Sequence, residues 1–214
     1  MSLLWLLCLS ILLPSGILYE FRPFTFTPYS SKKYQKQKTY KDRELALTVH
    51  DVIPDVIECT PQFQLEVTYL EEFKVDHGNI LEINNVAFAP LKVEWPAEKN
   101  ESYVLSMTGP DYPSRENRSE YEEWNHWLVV NIEGDKWLNG DVIAPYIPPY
   151  CRKGLGFHRY VFVIYKQPRK HIQFNETRLD ASIDDRVRAN FSLRAFAVKY
   201  QLQSPLAGNF FFTP

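Results

Sequence analysis

Glycine is scarce in this 214-residue chain, at eight residues, and cysteine and methionine number three and two. So few glycines argue against a Gly-rich phosphate-cradling loop, where the backbone must approach the ligand closely. The cysteines, at 8, 59 and 151, form no cluster with zinc-ligand spacing. No G-x-S-x-G, H-E-x-x-H or Walker sequence occurs, so the common signatures of hydrolases, zinc peptidases and nucleotide-binding enzymes are missing. An excess of either charge is also lacking. The 24 basic residues stand against 26 acidic ones, a net −2, which gives no gross pull toward nucleic acid or membrane. What the chain does have is 45% hydrophobic residues, 15% aromatics and 15 prolines. That composition and length fit one globular, β-rich domain with stiff connections and a full-sized core.

Residues 3–13 read LLWLLCLSILL, apolar except at Ser10. The run is shorter than the roughly 20 residues a bilayer span requires. It fits the hydrophobic part of a secretory signal peptide over residues 1–16, cleaved near Ser15 or Gly16. No Lys or Arg precedes it, and an uncleaved signal anchor is the alternative. Four Asn-x-Ser/Thr sequons, at Asn100, Asn117, Asn175 and Asn190, agree with export to the extracellular space. Cys8 then leaves with the signal peptide. Cys59 and Cys151 remain as two thiols in an oxidising compartment, where a disulfide between them and two separate thiols are both open.

Residues 17–44 differ from the rest. Seven basic residues there face three acidic ones, mixed with Tyr, Phe, Ser, Thr and Pro in no steady period. The expectation is a basic solvated extension, with a strap for an acidic or lipid surface as the sharper alternative. Residues 49–57, VHDVIPDVI, suggest a short helix capped by Asp51, with Pro54 in its first turn. Beyond it, QLEVTYL, NNVAFA, SYVLSMT, HWLVVNI and RYVFVIYK read as strands divided by proline- and glycine-bearing turns. FSLRAFAVKY fits a helix better, with Phe191, Ala195 and Val198 on one face. Residues 45–214 are therefore expected to form a mainly-β domain with a few helices.

Three stretches carry chemistry. Thr108-Gly109-Pro110-Asp111-Tyr112-Pro113-Ser114-Arg115 ends a strand in a turn stiffened by two prolines. It presents Asp111, for which Arg115 is the nearest basic partner. Tyr121 to Trp127, YEEWNHW, enters a strand whose alternation puts Trp124, His126 and Leu128 on one face. Gly154 to Tyr160, GLGFHRY, enters another, with His158, Tyr160 and Phe162 together. One histidine on a strand is ordinarily a core or edge residue. Two of them, each beside aromatics where a strand begins, point to a shared pocket.

PDYPSR, EWNHW before LVVNI, and G-x-G-F-HRYVF before YKQ resemble the phosphatidylethanolamine-binding protein family, which includes the Raf kinase inhibitor proteins. VIPDVI, LEVTY and SPLAGNFF fit the same pattern, so the resemblance runs from about Val49 to Phe212. It implies a β-sandwich-like fold, a large sheet against a smaller one with peripheral helices. It also implies an anion pocket for phosphate or phosphoethanolamine head groups near one end of the large sheet. The residues matching that pocket are Asp111, Pro113, Tyr121, Trp124, His126, Pro148, Pro149, His158 and Tyr160, with a cis bond between Tyr112 and Pro113. In such a site the histidines would donate to phosphate oxygens, and a carboxylate would take an ammonium or orient a histidine.

There are two departures from the pattern. Where the family reads Asp-Pro-Asp this chain has Gly109-Pro110-Asp111, and the usual C-terminal helix does not follow the last strand. The loop after Pro149 is also longer, and its Arg152 and Lys153 would add positive charge near the pocket. The function expected is non-catalytic binding of a phospholipid head group or small anion by a secreted monomer without cofactor, metal or nucleic-acid partner. The alternative is a protein-interaction or serine protease inhibitor module with a vestigial pocket, acting on a secreted protease or a cell-surface protein. If the sequons are used, glycosidase treatment of protein collected from secreting cells lowers its mass, and an unchanged mass would exclude glycosylation.

Overall fold

The runs Phe162-Val163-Ile164 and Phe210-Phe211-Phe212 have no polar interruption because their strands are covered on both faces. The computed structural model describes residues 38–116, 123–150, 155–180 and 185–214. Nine strands are found there: β1 Phe63–Gln64, β2 Glu66–Thr68, β3 Asn79–Ile80, β4 Lys92–Glu94, β5 Ser102–Gly109, β6 Trp124–Glu133, β7 Asp141–Ala144, β8 His158–Lys166 and β9 Ala207–Thr213. Three α-helices accompany them, α1 Tyr40–Val49, α2 Val52–Asp55 and α3 Leu193–Lys199. The large sheet runs β1-β9-β8-β5-β6-β7, and β3 also pairs with β9. β1 and β3 meet β9 in parallel near its two ends, and the other pairings are antiparallel. β2 and β4 form the small sheet.

Each central strand divides its side chains between two cores. Val104, Leu128, Val130, Val161, Val163, Phe210 and Phe212 meet Leu47 of α1, Val52 of α2, and Leu193 and Phe196 of α3. On the opposite face Leu105, Met107, Trp127, Val129, Tyr160, Phe162 and Phe211 meet Val67 and Val93 of the small sheet. Phe211 stacks between Tyr160 and Phe162, with centroids 5.3 and 6.2 Å away. Each fully buried side chain of this kind contributes roughly 1.5–3 kcal/mol. The two-layer β arrangement with peripheral helices is the one expected.

Several local expectations are corrected. The boundary at 44/45 falls inside α1. Thr39 caps that helix, its Oγ accepting from the Asp42 N–H at 3.3 Å while the Asp42 carboxylate accepts the Thr39 N–H. Arg43 is buried and donates to the carbonyls of Lys38 and Gln62. The helix expected over 49–57 is only the four-residue α2. Asp51 stands before it at φ 54° and makes no side-chain cap. NNVAFA forms no strand. Ile83–Val86 is a 3-10 turn, tied by Glu82 and Asn85, and Phe88 beyond it is exposed. QLEVTYL is broken between β1 and β2 and ends in a 3-10 turn at Leu70–Glu72. The α3 helix is present, but Leu193, Phe196 and Ala197 face the core while Val198 is 74% exposed.

Three sequon asparagines, Asn100, Asn175 and Asn190, are exposed, and Asn117 lies outside the described residues. Cys59 is half-buried, and the pairing raised for it falls on Cys151, also outside them. Residues 1–16, expected to be a signal peptide, and residues 17–37 lie outside as well.

One buried cation ties β8 to two loops. Arg159, the second residue of β8, is fully buried, and its guanidinium forks onto the Asp111 carboxylate through Nε and Nη2. The Asp111 carboxylate also accepts the Arg159 backbone N–H at 2.8 Å. On its other edge Arg159 Nη1 reaches the carbonyls of His50 and Asp51 and the Asp55 carboxylate, at 2.8–2.9 Å. Arg115, the expected partner of Asp111, instead donates to Asp51 and the His50 carbonyl. Burial pulls the Arg159 guanidinium down, but hydrogen bonds and charge from Asp111 and Asp55 outweigh it and hold it above its usual range. Arg159→Met therefore lowers unfolding stability by about 3–5 kcal/mol in urea titration, because two carboxylates lose their buried partner. Arg115→Met, whose ion pair is solvated, costs under about 1 kcal/mol. Equal losses in the two variants would show that the Arg159 network is not the stronger brace.

Candidate functional site

Thr108 and Gly109 end β5 beside the start of β6, where the pairing slips. Met107 stands opposite Trp127, but Thr108 is opposite Asn125, so His126 is the extra residue of a bulge. The bulge puts His126 on the same side as Trp127, against Tyr160, with ring centroids 5.0 Å apart and edge to face. Leu128 goes to the helix-covered side, so the expected grouping of His126 with Leu128 is corrected. On β8 the alternation holds, and His158 and Tyr160 both border the same space.

That space is a cavity of about 450 Å³ at the end of the large sheet, within the range of small-ligand sites. Asp111, Trp124, His126, Pro148, His158 and Tyr160 line it, together with Gly109, Tyr112, Ile147, Tyr150 and Arg159. Pro113 and Pro149 are not in its wall. Tyr121 lies outside the described residues. The Tyr112–Pro113 bond is cis, as expected. The Tyr112 and Trp124 rings lie 4.8 Å apart and form one aromatic wall.

The polar groups are arranged unlike a ready-made anion site. His126 Nδ1 is 3.1 Å from the Ile147 carbonyl, which in turn lies on a segment whose Ile147 N–H donates to the His126 carbonyl. A carbonyl only accepts, so Nδ1 holds the proton, and the neutral ring carries a lone pair on Nε2. Burial lowers the His126 pKa to about 4, helped by the charge of Arg188, against the opposing effect of the Ile147 and Pro148 carbonyls. Burial also lowers that of His158, against the pull of Asp111. His158 Nε2 is buried without a hydrogen-bond partner. At neutral pH both rings are therefore uncharged. Asp111 and Arg159 bear the formal charges among the described lining residues, and they are bound to each other.

Sequence reasoning missed Arg159, although it sits between two residues it singled out. The available signal was an arginine inside an otherwise apolar strand, which needs a buried carboxylate. Ile147 and Tyr150 carried no such signal. Asp111 is held by Arg159 rather than by a histidine, so among the described lining residues no carboxylate is bonded to His126 or His158 in the manner that orients a general base. No group of three or more His, Cys, Asp or Glu able to hold a metal ion occurs among the described residues.

The chain matches the family model described as phosphatidylethanolamine-binding protein over residues 64–211. It is 34% identical over 161 residues to a Drosophila melanogaster protein named for odorant binding, A5, a match covering 75% of each chain. It is 35% identical to a 26 kDa secreted antigen of Toxocara canis, over 75% of this chain and 60% of the antigen. The fold is similar to that of a carboxypeptidase Y inhibitor solved with its cognate proteinase. The TM-score is 0.68 and the identity 22%, over 84% of this chain and 98% of the inhibitor. The motifs, the two-layer sheet architecture and these matches agree: the chain belongs to the phosphatidylethanolamine-binding protein family.

Proposed function

We propose that this chain is a non-catalytic extracellular binding protein that takes a phospholipid head group or other phosphate-like anion into the aromatic cavity, together with protons. The observation that carries this reading is the pair of histidines facing one cavity, each with a buried or cavity-facing Nε2. Export is supported by the apolar N-terminal run, by three exposed sequon asparagines and by the similarity to a secreted antigen. No helix among the described residues is long and apolar enough to cross a membrane. The relative named for odorant binding also fits a small-ligand role.

Phosphate oxygens accept hydrogen bonds, and a neutral His126 offers them a second acceptor. Uptake of a proton at Nε2 turns the ring into a donor, and a charge-assisted bond then forms. Since the free His126 pKa is about 4, protonation is unfavourable at neutral pH and grows easier as pH falls. Anion binding should therefore tighten from pH 7.5 toward pH 4.5, by about tenfold per pH unit for each proton taken up. Sulfate, ionised throughout, isolates the protein's contribution, and NMR of the His126 and His158 rings reads it. Affinity that stays level or weakens on acidification would overturn proton-linked binding.

Among the described lining residues, Asp111 is the one carboxylate that could meet the ammonium of phosphoethanolamine. Both Asp111 oxygens are held by Arg159, and residue 109 is glycine. Phosphoethanolamine and inorganic phosphate should bind within about threefold of each other, less than one charge-assisted hydrogen bond contributes. A clear preference for the amine-bearing ligand would mean that Asp111 leaves Arg159 on binding.

Protease inhibition is the second reading. It rests on the fold shared with the carboxypeptidase Y inhibitor and on exposed Tyr150, Leu155 and Phe157 near the cavity. Titration against a panel of secreted serine proteases tests it, and absence of inhibition at micromolar protein counts against it.

A further inference from the structure

The Gly109 backbone lies beside the Nε2 edge of His126, the edge turned away from the Ile147 carbonyl. A Cβ at this position would stand 3.2 Å from His126 Nε2, 3.3 Å from its Cδ2 and 3.5 Å from the Tyr160 ring. With no side chain at 109, the Gly109 backbone beside Nε2 is left uncovered, so a ligand atom can approach Nε2 from the cavity across it. A glycine inside a strand often marks such a close approach by a ligand or another backbone. The ring cannot turn to offer a donor there without giving up the Ile147 carbonyl.

Resting on the small-ligand reading of this cavity, we propose that Gly109 and His126 form a subsite for an uncharged aromatic ligand bearing one hydroxyl donor, of the phenol class. The hydroxyl donates to His126 Nε2 on an approach past the Gly109 Cα that a residue-109 side chain would obstruct. The ring of the ligand lies in the cavity walled by Tyr112, Trp124 and Tyr160, where offset and edge-on aromatic contacts are available. A carbonyl or ether oxygen in that position would set acceptor against acceptor. An anion would do the same until the ring takes up a proton, and it would find Arg159 already occupied by two carboxylates. Burial keeps the ring neutral at physiological pH and so preserves the acceptor.

The test uses phenol, anisole and inorganic phosphate with the purified chain at pH 7.5. Anisole keeps the ring and removes the donor. Phenol is expected to saturate the site and to move the His126 Nε2 nitrogen resonance in the direction of an accepted hydrogen bond. Anisole is expected to bind about tenfold more weakly, the difference made by one neutral hydrogen bond. Gly109→Ala, whose methyl group blocks the subsite, should weaken phenol at least tenfold. Circular dichroism and the urea midpoint confirm that the variant is folded. Gly109→Asp should instead raise the His126 pKa and abolish phenol binding. Equal affinity for phenol and anisole would overturn the hydrogen-bonded subsite without any variant. Phosphate binding tighter than phenol at pH 7.5 would overturn the inference and leave the anion reading standing. Silence of both histidine rings toward all three probes, at pH 7.5 and at pH 4.5, would remove the small-ligand reading itself.

Discussion

The buried pairing of Arg159 with Asp111 is the constraint on which the site depends. A guanidinium withdrawn from water costs several kcal/mol unless its donors are all met. Here the partners come from three separate places: the loop after β5, the backbone at 50–51 and Asp55 in α2. None of these can move without stranding a charge. The network contributes less to net stability than its number of bonds suggests, because desolvation offsets much of the attraction. What it provides is position. It fixes the residues just after β5, and with them Tyr112, against the start of β8, on one side of the cavity.

The same pairing decides what the cavity can recognise. A carboxylate bound on both oxygens by an arginine and a backbone N–H has little hydrogen-bonding capacity left for a ligand ammonium. An arginine bound by two carboxylates has little left for a ligand phosphate. The charges that composition alone would assign to ligand recognition are thus consumed in the frame. Recognition passes to the histidines and the aromatic rings. Burial sets the protonation of those histidines, and the β6 bulge sets their direction. The register shift at Thr108 and Asn125 moves His126 onto the Tyr160 side of the sheet. Without it, alternation would have sent His126 toward the helices with Leu128.

Elements governed by local chemistry were legible in the sequence. SYVLSMT, HWLVVNI and RYVFVIYK are strands because β-branched and aromatic residues dominate them, and both faces are buried. His126 and His158 border one cavity because both stand at the start of long strands that are neighbours of β5. What was not legible depends on distant partners. Asp111 has Arg115 four residues away, yet it takes Arg159, which is 48 residues away and delivered by the strand pairing. The face of α3 was misjudged because Phe191 precedes the helix and packs from the chain leading into it. NNVAFA carries strand-like composition, but Glu82 and Asn85 bond each other's backbone and close a turn first. A bulge leaves no mark in composition, so the direction of His126 could not be read in advance.

Gly109 connects these levels. Within β5 it is buried, and its backbone is of a kind any residue could adopt, so its reason for being glycine is not conformational freedom. The space around it is what matters. A carboxylate there, as the family pattern has it, would face His126 Nε2 at close range and favour a protonated ring. Its absence removes the charge that would hold a proton on Nε2, while burial and Arg188 continue to oppose protonation. One missing side chain therefore does two things at once. It uncovers the backbone beside the imidazole, and it leaves that imidazole a neutral acceptor. The two effects act on the same nitrogen, so the shape of the cavity and the chemistry of its polar wall cannot be changed independently at this position.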